Sequence, residues 1–259
     1  MSTHQDLIRD QFTKQAIPFA TAPGIKDEEA LKLLVDFTGA KPDDAVLDVA
    51  CGPGLVACAF AQVTRHATGI DLTPAMIERA RALQQEKKLT NVTWHVGDVL
   101  PLPYADASFS IVTSRFAFHH FPDPQAVLAE MKRVCTPGGK VVVIDVMAAP
   151  DPEKAAAYNR MEKLRDPSHA RGLTLAEMET LFGRFALPTP RKTFYRLEGE
   201  VEDLLQRSFP NPGDANKVRQ MFVEALDNDG LGMDVRRQGD KIRFAYPIAI
   251  LVVEREAAL

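Results

Sequence analysis

The sequence predicts a doubly wound α/β fold, in which helices cover both faces of a largely parallel sheet. Short continuous apolar runs such as VVVIDV (141–146) are typical of parallel strands buried on both faces. Amphipathic helical segments alternate with these runs along the chain. The first of these runs along the chain is AVLDVA (45–50), and a glycine-rich bend follows it directly. Doubly wound folds that bind a ligand at the strand ends have such a bend.

The elements follow in order. Residues 6–38 are predicted to be helical, and Asp27, Glu28 and Glu29 provide an acidic first turn for a second helix. Thr73 and Pro74 open a later helix as cap and first residue, and Pro137-Gly138-Gly139 predicts a turn. The predicted strands are Ala45–Ala50, His66–Asp71, Val92–Val96, Ser108–Thr113 and Lys140–Val146, with helices near 54–64, 73–88 and 123–134.

After Pro150 the pattern is less regular because prolines interrupt it. Helices are predicted near 153–165, 174–186, 200–208 and 214–228, and a last strand over Phe244–Glu254. We interpret 151–240 as the final helices and strands plus an insertion, and the chain 1–259 as a single domain.

Composition excludes several classes of function. The formal charge is −4 with scattered basic residues, so no nucleic-acid surface is expected. The longest late apolar run, Phe244–Val253, is about half a membrane span, and the N-terminus has no export signal. Cys51, Cys58 and Cys135 form neither a disulfide framework nor a metal-ligand pattern, which favours a reducing cytoplasm and no metal site.

The bend AVLDVACGPGLVA (45–57) is the main candidate site. A glycine pair alone would serve equally well as a plain strand-to-helix turn. However, carboxylates stand at three successive strand ends: Asp48 in the first strand, Asp71 ending the second and Asp98 after the third. Because ligands bind beyond the carboxyl ends of parallel strands, these side chains predict a binding site.

Asp48 discriminates between ligands. A pyrophosphate beside this carboxylate would be repelled at a cost of several kcal/mol in a low dielectric. The order D-x-A-x-G-x-G also differs from the dinucleotide pattern G-x-G-x-x-G. A positively charged nucleoside without phosphate is therefore the better candidate.

Four motifs resemble the class I S-adenosylmethionine-dependent methyltransferases, in particular the ubiquinone and menaquinone C-methyltransferase branch. They cover about residues 44–147 in the expected order. The matching segments are VLDVACGPG, TGIDLTPAMIERA, VGDVLPLPYADASFSIV and RVCTPGGKVVVIDV. Ala50 departs from the glycine that many relatives have, a small-for-small change.

The resemblance implies S-adenosylmethionine as cofactor and assigns its contacts. Asp48, Ala50, Gly52 and Gly54 would surround the methionine part, with Arg115 beside it. The remaining assignments are Asp71 to the ribose, Leu72 and Met76 to the adenine ring, and Asp98 with Val99 to the adenine amino edge.

The resemblance also implies a Rossmann-like seven-stranded sheet with an antiparallel last strand. Within one methyltransferase domain, 1–40 would be a helical lid, 41–150 the cofactor-binding core, and 151–259 the substrate-side helices, insertion and last strands. Phe12, Ile17 or Phe19 would face the substrate, although core packing explains each of them as well.

Methyl transfer from a sulfonium requires alignment and, for an acidic acceptor, a base. His119 or His120 is a candidate base, with helix capping or sheet support as the alternative role. In the stretch Arg165–Arg171, His169 or Arg171 could contact the acceptor, unless this is a solvated loop capped by Ser168. The acidic residues Asp145, Asp151 and Glu153 are interpreted as surface and strand-end charge, not as Mg²⁺ ligands.

The predicted function is methyl transfer to a small, hydrophobic or aromatic metabolite at carbon or oxygen. Several phenylalanines, including Phe116 and Phe121, are compatible with such an acceptor. Two alternatives stay open: an NAD(P)-dependent oxidoreductase, against which Asp48 argues, and a non-catalytic S-adenosylmethionine-binding protein. A homodimer also stays open.

Overall fold

The structure is a computed structural model that describes residues 3–21 and 26–256, with the backbone alone for 19–21. One mixed sheet runs through it in the order β3-β2-β1-β4-β5-β8-β6, and the short β7 pairs with β8. The strands are β1 (Ala45–Val49), β2 (His66–Asp71), β3 (Val92–Val96), β4 (Phe109–Arg115), β5 (Cys135–Val146), β6 (Arg191–Glu200), β7 (Arg236–Gln238) and β8 (Lys241–Glu254).

Strands β1 to β5 pair in parallel, and β8 pairs antiparallel with both β5 and β6. This confirms the predicted doubly wound sheet with an antiparallel last strand. The helices are α1 (His4–Thr21), α2 (Glu28–Thr38), α3 (Leu55–Ala61), α4 (Pro74–Glu86), α5 (Pro124–Val134), α6 (Pro152–Arg165), α7 (Leu175–Gly183), α8 (Val201–Gln206) and α9 (Asp214–Glu224), with a 3-10 turn at Phe118–His120.

Hydrophobic cores lie on both faces of the sheet, as the alternation along β5 shows. Val142 and Ile144 belong to the core on one face, and Val141 and Val143 to the core on the other. All four are at most 1% exposed. Double burial explains why this strand has a continuous apolar run and not an alternating one.

Helix starts follow the predicted chemistry with one exception. Asp27 caps α2 by accepting from the backbone N–H groups of Glu29 and Ala30, as the acidic turn predicted. Helix α4 begins at Pro74 as expected, but the buried hydroxyl of Thr73 makes no capping bond. Instead, the Thr73 N–H donates to Asp71 Oδ1 at 2.8 Å, so Asp71 organises this turn.

Two local expectations were wrong. The Pro137-Gly138-Gly139 segment lies within β5 and does not form a turn before it. Residues 136–139 form a bulge, because the four residues lie opposite the single residue Ser110 of β4. Strand β6 was not predicted at all. It pairs only with β8 at the sheet edge, and its half-buried and exposed residues alternate, so no continuous apolar run marks it.

The three cysteines are buried and free, in agreement with the lack of a disulfide framework. Within residues 3–21 and 26–256, no helix is long and apolar enough to cross a membrane.

Candidate active site

The bend after β1 adopts left-handed backbone conformations. The φ angles are 55° at Ala50 and 51° at Gly52. For alanine this conformation costs about 1–2 kcal/mol, which explains why glycine would be the easier residue at position 50. The N–H of Gly52 donates to Asp71 Oδ2 at 2.9 Å. The bend is therefore fixed to the end of β2 by the same carboxylate that organises the next turn.

The two glycines of the bend have different roles. A Cβ atom on Gly52 would meet nothing within 4 Å, so glycine is required there by its φ angle alone. A Cβ atom on Gly54 would lie 2.5 Å from the Trp94 ring and 2.8 Å from Ala80. Gly54 thus allows α3 to pack closely on β3 and α4, and it does not line the cavity described next.

A cavity of about 300 Å³ opens beyond the carboxyl ends of β1, β2 and β4. We call it the first cavity. The structure brings nine of the ten predicted cofactor residues into its wall, all except Gly54: Asp48, Ala50, Gly52, Asp71, Leu72, Met76, Asp98, Val99 and Arg115.

The first cavity is rich in negative charge. Among its described lining residues, four aspartates stand against one guanidinium: Asp48, Asp71, Asp98 and Asp123 against Arg115. This distribution disfavours a pyrophosphate and favours a cationic ligand. The alternative of a nicotinamide dinucleotide therefore has no electrostatic support in this cavity.

Asp48 is the most deeply buried of these carboxylates, at 1% exposure. Its Oδ2 accepts a hydrogen bond from the Ala57 N–H at 3.1 Å. Burial raises the pKa of Asp48 to about 8, although that hydrogen bond and Arg115 act in the opposite direction. A buried carboxylate with so little compensation is a good partner for a cation in the cavity.

Asp71 is 8% exposed, and each of its oxygens accepts a backbone hydrogen bond, from Gly52 and from Thr73. Burial raises the pKa of Asp71, and these two bonds oppose the shift. Each carboxylate oxygen has a second lone pair. Asp71 can therefore hold the bend and still accept from ligand hydroxyl groups.

Helix α1 closes the first cavity from the N-terminal side. Gln5 donates a hydrogen bond to Asp98 Oδ2, and Ile8 and Phe12 line the wall. Phe12 therefore lies in the wall of this cavity. Ile17 is 55% exposed and does not line this cavity, and the Phe19 side chain lies outside the described residues.

A second cavity, of about 290 Å³, adjoins the first. Both share Phe12, Phe116 and His120 in their walls. The second cavity lies between α6, α8 and strand β8, and it contains His119. A ligand there would lie next to a ligand in the first cavity.

His119 has the geometry of an oriented base. Its Nδ1 lies 2.6 Å from Asp145 Oδ1, and its backbone N–H donates to Asp145 Oδ2 at 3.0 Å. Asp145 is 1% exposed, so the carboxylate is held by this contact inside the protein. The hydrogen-bond network assigns the proton to Nδ1, which leaves the Nε2 lone pair available. The side chain retains 11% exposure, on the second cavity.

The surroundings of His119 raise the pKa of its ring. Burial alone would lower its pKa, but the Asp145 charge and hydrogen bond, with Glu162 further away, raise the pKa above 6.5. The expectation that Asp145 is ordinary surface charge was wrong in this respect, because the side chain is buried. Asp151 caps α6 through the N–H groups of Glu153 and Lys154.

The other two histidines differ from His119. Burial lowers the pKa of His120 to about 3, so its ring stays neutral and is a weak base. Its Nδ1 lies 3.1 Å from the carbonyl oxygen of Ser168. His169 is 0% exposed, lines neither cavity, and its Nε2 lies 2.9 Å from Asn159 Oδ1. The three rings pack together, with centroids 4.3–6.4 Å apart.

The stretch Arg165–Arg171 is not a solvated loop. Ser168 is fully buried and its hydroxyl donates to Asp166, and His169 lies behind the cavity wall. Arg171 is exposed and pairs with Glu177. The structure therefore brings neither His169 nor Arg171 into contact with the second cavity.

Sequence reasoning missed the polar side chains that α6 and β8 bring to the second cavity: Tyr158, Glu162, Arg165 and Tyr246. Glu162 is 2% exposed and pairs with Arg165 at 2.6 Å. Tyr246 donates to Glu162 Oε1 at 2.7 Å. The spacing of Tyr158, Glu162 and Arg165 along one face of a helix was the available signal.

Comparison with known proteins agrees with this geometry. A family model described as a methyltransferase domain matches residues 47–143. The uncharacterized methyltransferase YcgJ of Bacillus subtilis is 34% identical over 171 residues, 66% of this chain and 68% of that protein. Its crystal structure superposes with a TM-score of 0.82 at 26% identity, covering 89% of this chain and 99% of that one.

A demethylmenaquinone methyltransferase of Staphylococcus aureus is 30% identical over 197 residues, 75% of this chain and 72% of that protein. The chain belongs to the class I S-adenosylmethionine-dependent methyltransferases. It is an enzyme of this class, and its cofactor is S-adenosylmethionine. The buried Asp48 and the excess of carboxylates in the first cavity disfavour a phosphate group and fit a sulfonium nucleoside.

Proposed function

We propose that this enzyme methylates a small hydrophobic or aromatic metabolite bound in the second cavity, at a carbon or oxygen atom, with His119 as general base. The observation that supports the proposal most strongly is the buried Asp145–His119 pair in the wall of a cavity that adjoins the cofactor site. The shared wall of Phe12, Phe116 and His120 places the two cavities in contact.

In this proposal each cofactor residue has the role that the family resemblance implies. Asp48, Ala50 and Gly52 hold the methionine part with Arg115, and Asp71 accepts from the ribose hydroxyls. Leu72 and Met76 contact the adenine ring, and Asp98 with Val99 the adenine amino edge. The chain acts as one methyltransferase domain, an interpretation supported by the single sheet that runs from β1 to β8.

S-adenosylmethionine supplies an activated methyl group: the acceptor atom bonds to the methyl carbon while the carbon–sulfur bond breaks and its electron pair remains on sulfur. The protein aligns the reactants and excludes water, and such alignment can contribute roughly 7–11 kcal/mol. Helix α1 and Phe116 close the space between the cavities and serve this purpose.

His119 removes the acceptor proton. Its Nε2 accepts the proton, and Asp145 stabilises the imidazolium through Nδ1–H. The proton then leaves to solvent after transfer. His120 is less suited to this role because burial keeps its pKa near 3.

The size and lining of the second cavity support an aromatic acceptor. Phe12, Phe116, Phe244 and Ile248 provide apolar walls around about 290 Å³. The name of the Staphylococcus aureus relative provides one candidate acceptor, demethylmenaquinone. A non-catalytic protein would have no need of an oriented base beside the cofactor.

The test combines binding and transfer. Purified enzyme should be stabilised by S-adenosylhomocysteine in a thermal-shift titration, by about 2.7 kcal/mol at 100 times its dissociation constant. Labelled S-adenosylmethionine should then transfer its methyl group into a component of a metabolite extract. Binding without transfer to any component would support the non-catalytic alternative and contradict the proposal.

A further inference from the structure

Tyr158 on α6 is a buried tyrosine whose hydroxyl group has no hydrogen-bond partner among the described residues. The residue is 2% exposed and lines the second cavity. Its hydroxyl makes no hydrogen bond to any residue in the described part of the chain. The hydroxyl oxygen is also not one of the unpaired polar atoms that are completely buried, so part of its surface is accessible. The hydroxyl therefore faces the cavity.

The Tyr158 ring is held in a fixed position. A Cβ atom on Gly172 would lie 2.7 Å from Tyr158 Cε1, so the backbone at Gly172 packs directly on the ring. The rings of His169 and Tyr246 pack edge-on at centroid distances of 6.3 and 6.5 Å. His169 also packs on His119, at 5.6 Å, and so Tyr158 and His119 flank the same ring.

The neighbouring polar groups are already paired. Glu162 binds Arg165 and the hydroxyl of Tyr246, and Asp145 binds His119. Burial, followed by the charge of Glu162, raises the pKa of Tyr158 well above 10, so the hydroxyl keeps its proton. Tyr158 is thus a hydrogen-bond donor that can serve a ligand in the cavity.

The charge around Tyr158 restricts the ligand. Glu162 and Asp145 are both close enough to interact with it, and the nearby cation Arg165 is neutralised by Glu162. A permanently anionic acceptor would be repelled there. A neutral weak acid that becomes negative only when His119 removes its proton would gain from the hydroxyl donor.

We propose that Tyr158 is a substrate-binding residue that donates a hydrogen bond to the oxygen of a phenol or enol acceptor, beside the proton that His119 removes. The inference rests on the proposed function and defines its acceptor class. The O–H proton moves to His119 Nε2, and the resulting negative charge is held by the Tyr158 hydroxyl. The charge is lost when the oxygen, or the conjugated carbon, receives the methyl group. An amine acceptor would develop no such charge.

The experiment uses 4-nitrophenol as the probe, because its absorbance reports ionisation, and nitrobenzene as the matched probe without the hydroxyl group. Binding is measured on wild type saturated with S-adenosylhomocysteine, at a pH below the pKa of free 4-nitrophenol, so that the free probe is neutral and phenolate absorbance arises only on the protein. The wild type should bind 4-nitrophenol at least tenfold more tightly than nitrobenzene and show the phenolate absorbance. Tyr158→Phe should weaken 4-nitrophenol binding roughly 10- to 100-fold, as for loss of a hydrogen bond to a charged group.

Tyr104→Phe is the control, because Tyr104 contacts His95 and lines neither cavity. It should leave probe binding unchanged. Equal affinity of wild type and Tyr158→Phe for 4-nitrophenol would overturn the inference, and so would equal binding of the two probes by wild type. The probe comparison on wild type stands even where the variant does not fold. Failure of the proposed function is distinct: wild type would then bind S-adenosylhomocysteine and transfer no methyl group to any acceptor.

Discussion

The first cavity takes its charged groups from one continuous stretch, residues 48–123, whereas the second collects its own from segments spread between His119 and Arg243. In the first cavity, aspartates at successive strand ends meet because parallel strands end at one edge. In the second, α6, α8 and β8 must pack together before any polar group has a neighbour. The charged groups of the first cavity are therefore encoded locally, and those of the second cavity depend on tertiary packing.

Replacing His119 is expected to have the largest effect on turnover. It should also distinguish the function of the second cavity from that of the first. His119→Ala should lower turnover of the identified acceptor roughly 10²- to 10⁴-fold, because the variant lacks the proposed general base. Binding of S-adenosylhomocysteine, measured by calorimetry, should stay within about threefold because His119 lines the second cavity alone.

His66→Ala is the matched control, since His66 lies at the start of β2, at the other end of the sheet. It should leave turnover unchanged. Full activity of His119→Ala would remove the base from the mechanism.

Asp48→Asn tests the first cavity. The variant should bind S-adenosylmethionine roughly 100-fold more weakly, because a buried carboxylate that can pair with the sulfonium cation is lost. The exposed Asp43→Asn, in the turn before the same strand, should bind normally. Equal binding by both variants would show that charge at strand ends does not select the ligand.

Binding should also depend on pH through Asp48. The pKa of Asp48 is raised from 3.8 to about 8 in the folded protein. Between these values the unfolded chain loses the proton and the folded protein keeps it, so the free energy of unfolding of the unliganded protein falls as the pH rises. A cationic ligand favours the ionised form. The affinity for the sulfonium S-adenosylmethionine should thus rise up to about tenfold per pH unit toward pH 8 in wild type, and not in Asp48→Asn.

The two glycines of the bend should differ in stability. Gly54→Ala should lower the free energy of unfolding by about 3 kcal/mol, from the left-handed φ angle and the clash with Trp94 together. Gly52→Ala meets no atoms and should cost about 1–2 kcal/mol from its φ angle. Urea denaturation measures both, and equal costs would contradict a packing role for Gly54.

Asp145→Asn should have the smallest effect, a roughly tenfold lower plateau of turnover, because the ring of His119 is less well oriented. The base is active when neutral, so wild-type turnover should fall as pH drops through the raised pKa of His119. Without the carboxylate, burial dominates and lowers that pKa. The acidic limb of the pH–rate profile should therefore move to lower pH, and an unmoved limb would contradict the pairing.

Much of the first cavity was predictable because its signals are local. A carboxylate at a strand end and a glycine in a bend keep their positions in any doubly wound sheet. The role of Gly54 was not predictable, since its contacts with Trp94 and Ala80 bring α3 against β3 and α4. Strand β6 was missed because an edge strand with alternating exposure gives a weak apolar signal.

The histidines show the same difference between what the sequence predicts and what packing decides. The pair His119-His120 was recognisable as a candidate base, but the sequence does not distinguish the two. The choice depends on Asp145, 26 residues away, whose carboxylate raises one pKa while burial lowers the other. His169 was an equally reasonable candidate by residue type, and only packing places it behind the wall.

The sequence by itself determined the parallel strands β1 to β5, the last strand and the aspartates at the strand ends, and these aspartates favour a cofactor with positive charge. Periodicity and strand order act over short distances along the chain. Tertiary structure decided which histidine pairs with the buried Asp145, and it placed Tyr158 and Glu162 in the wall of the same cavity. The physical reason is that burial and charge pairing are properties of neighbours in space, which residue spacing along the chain does not specify.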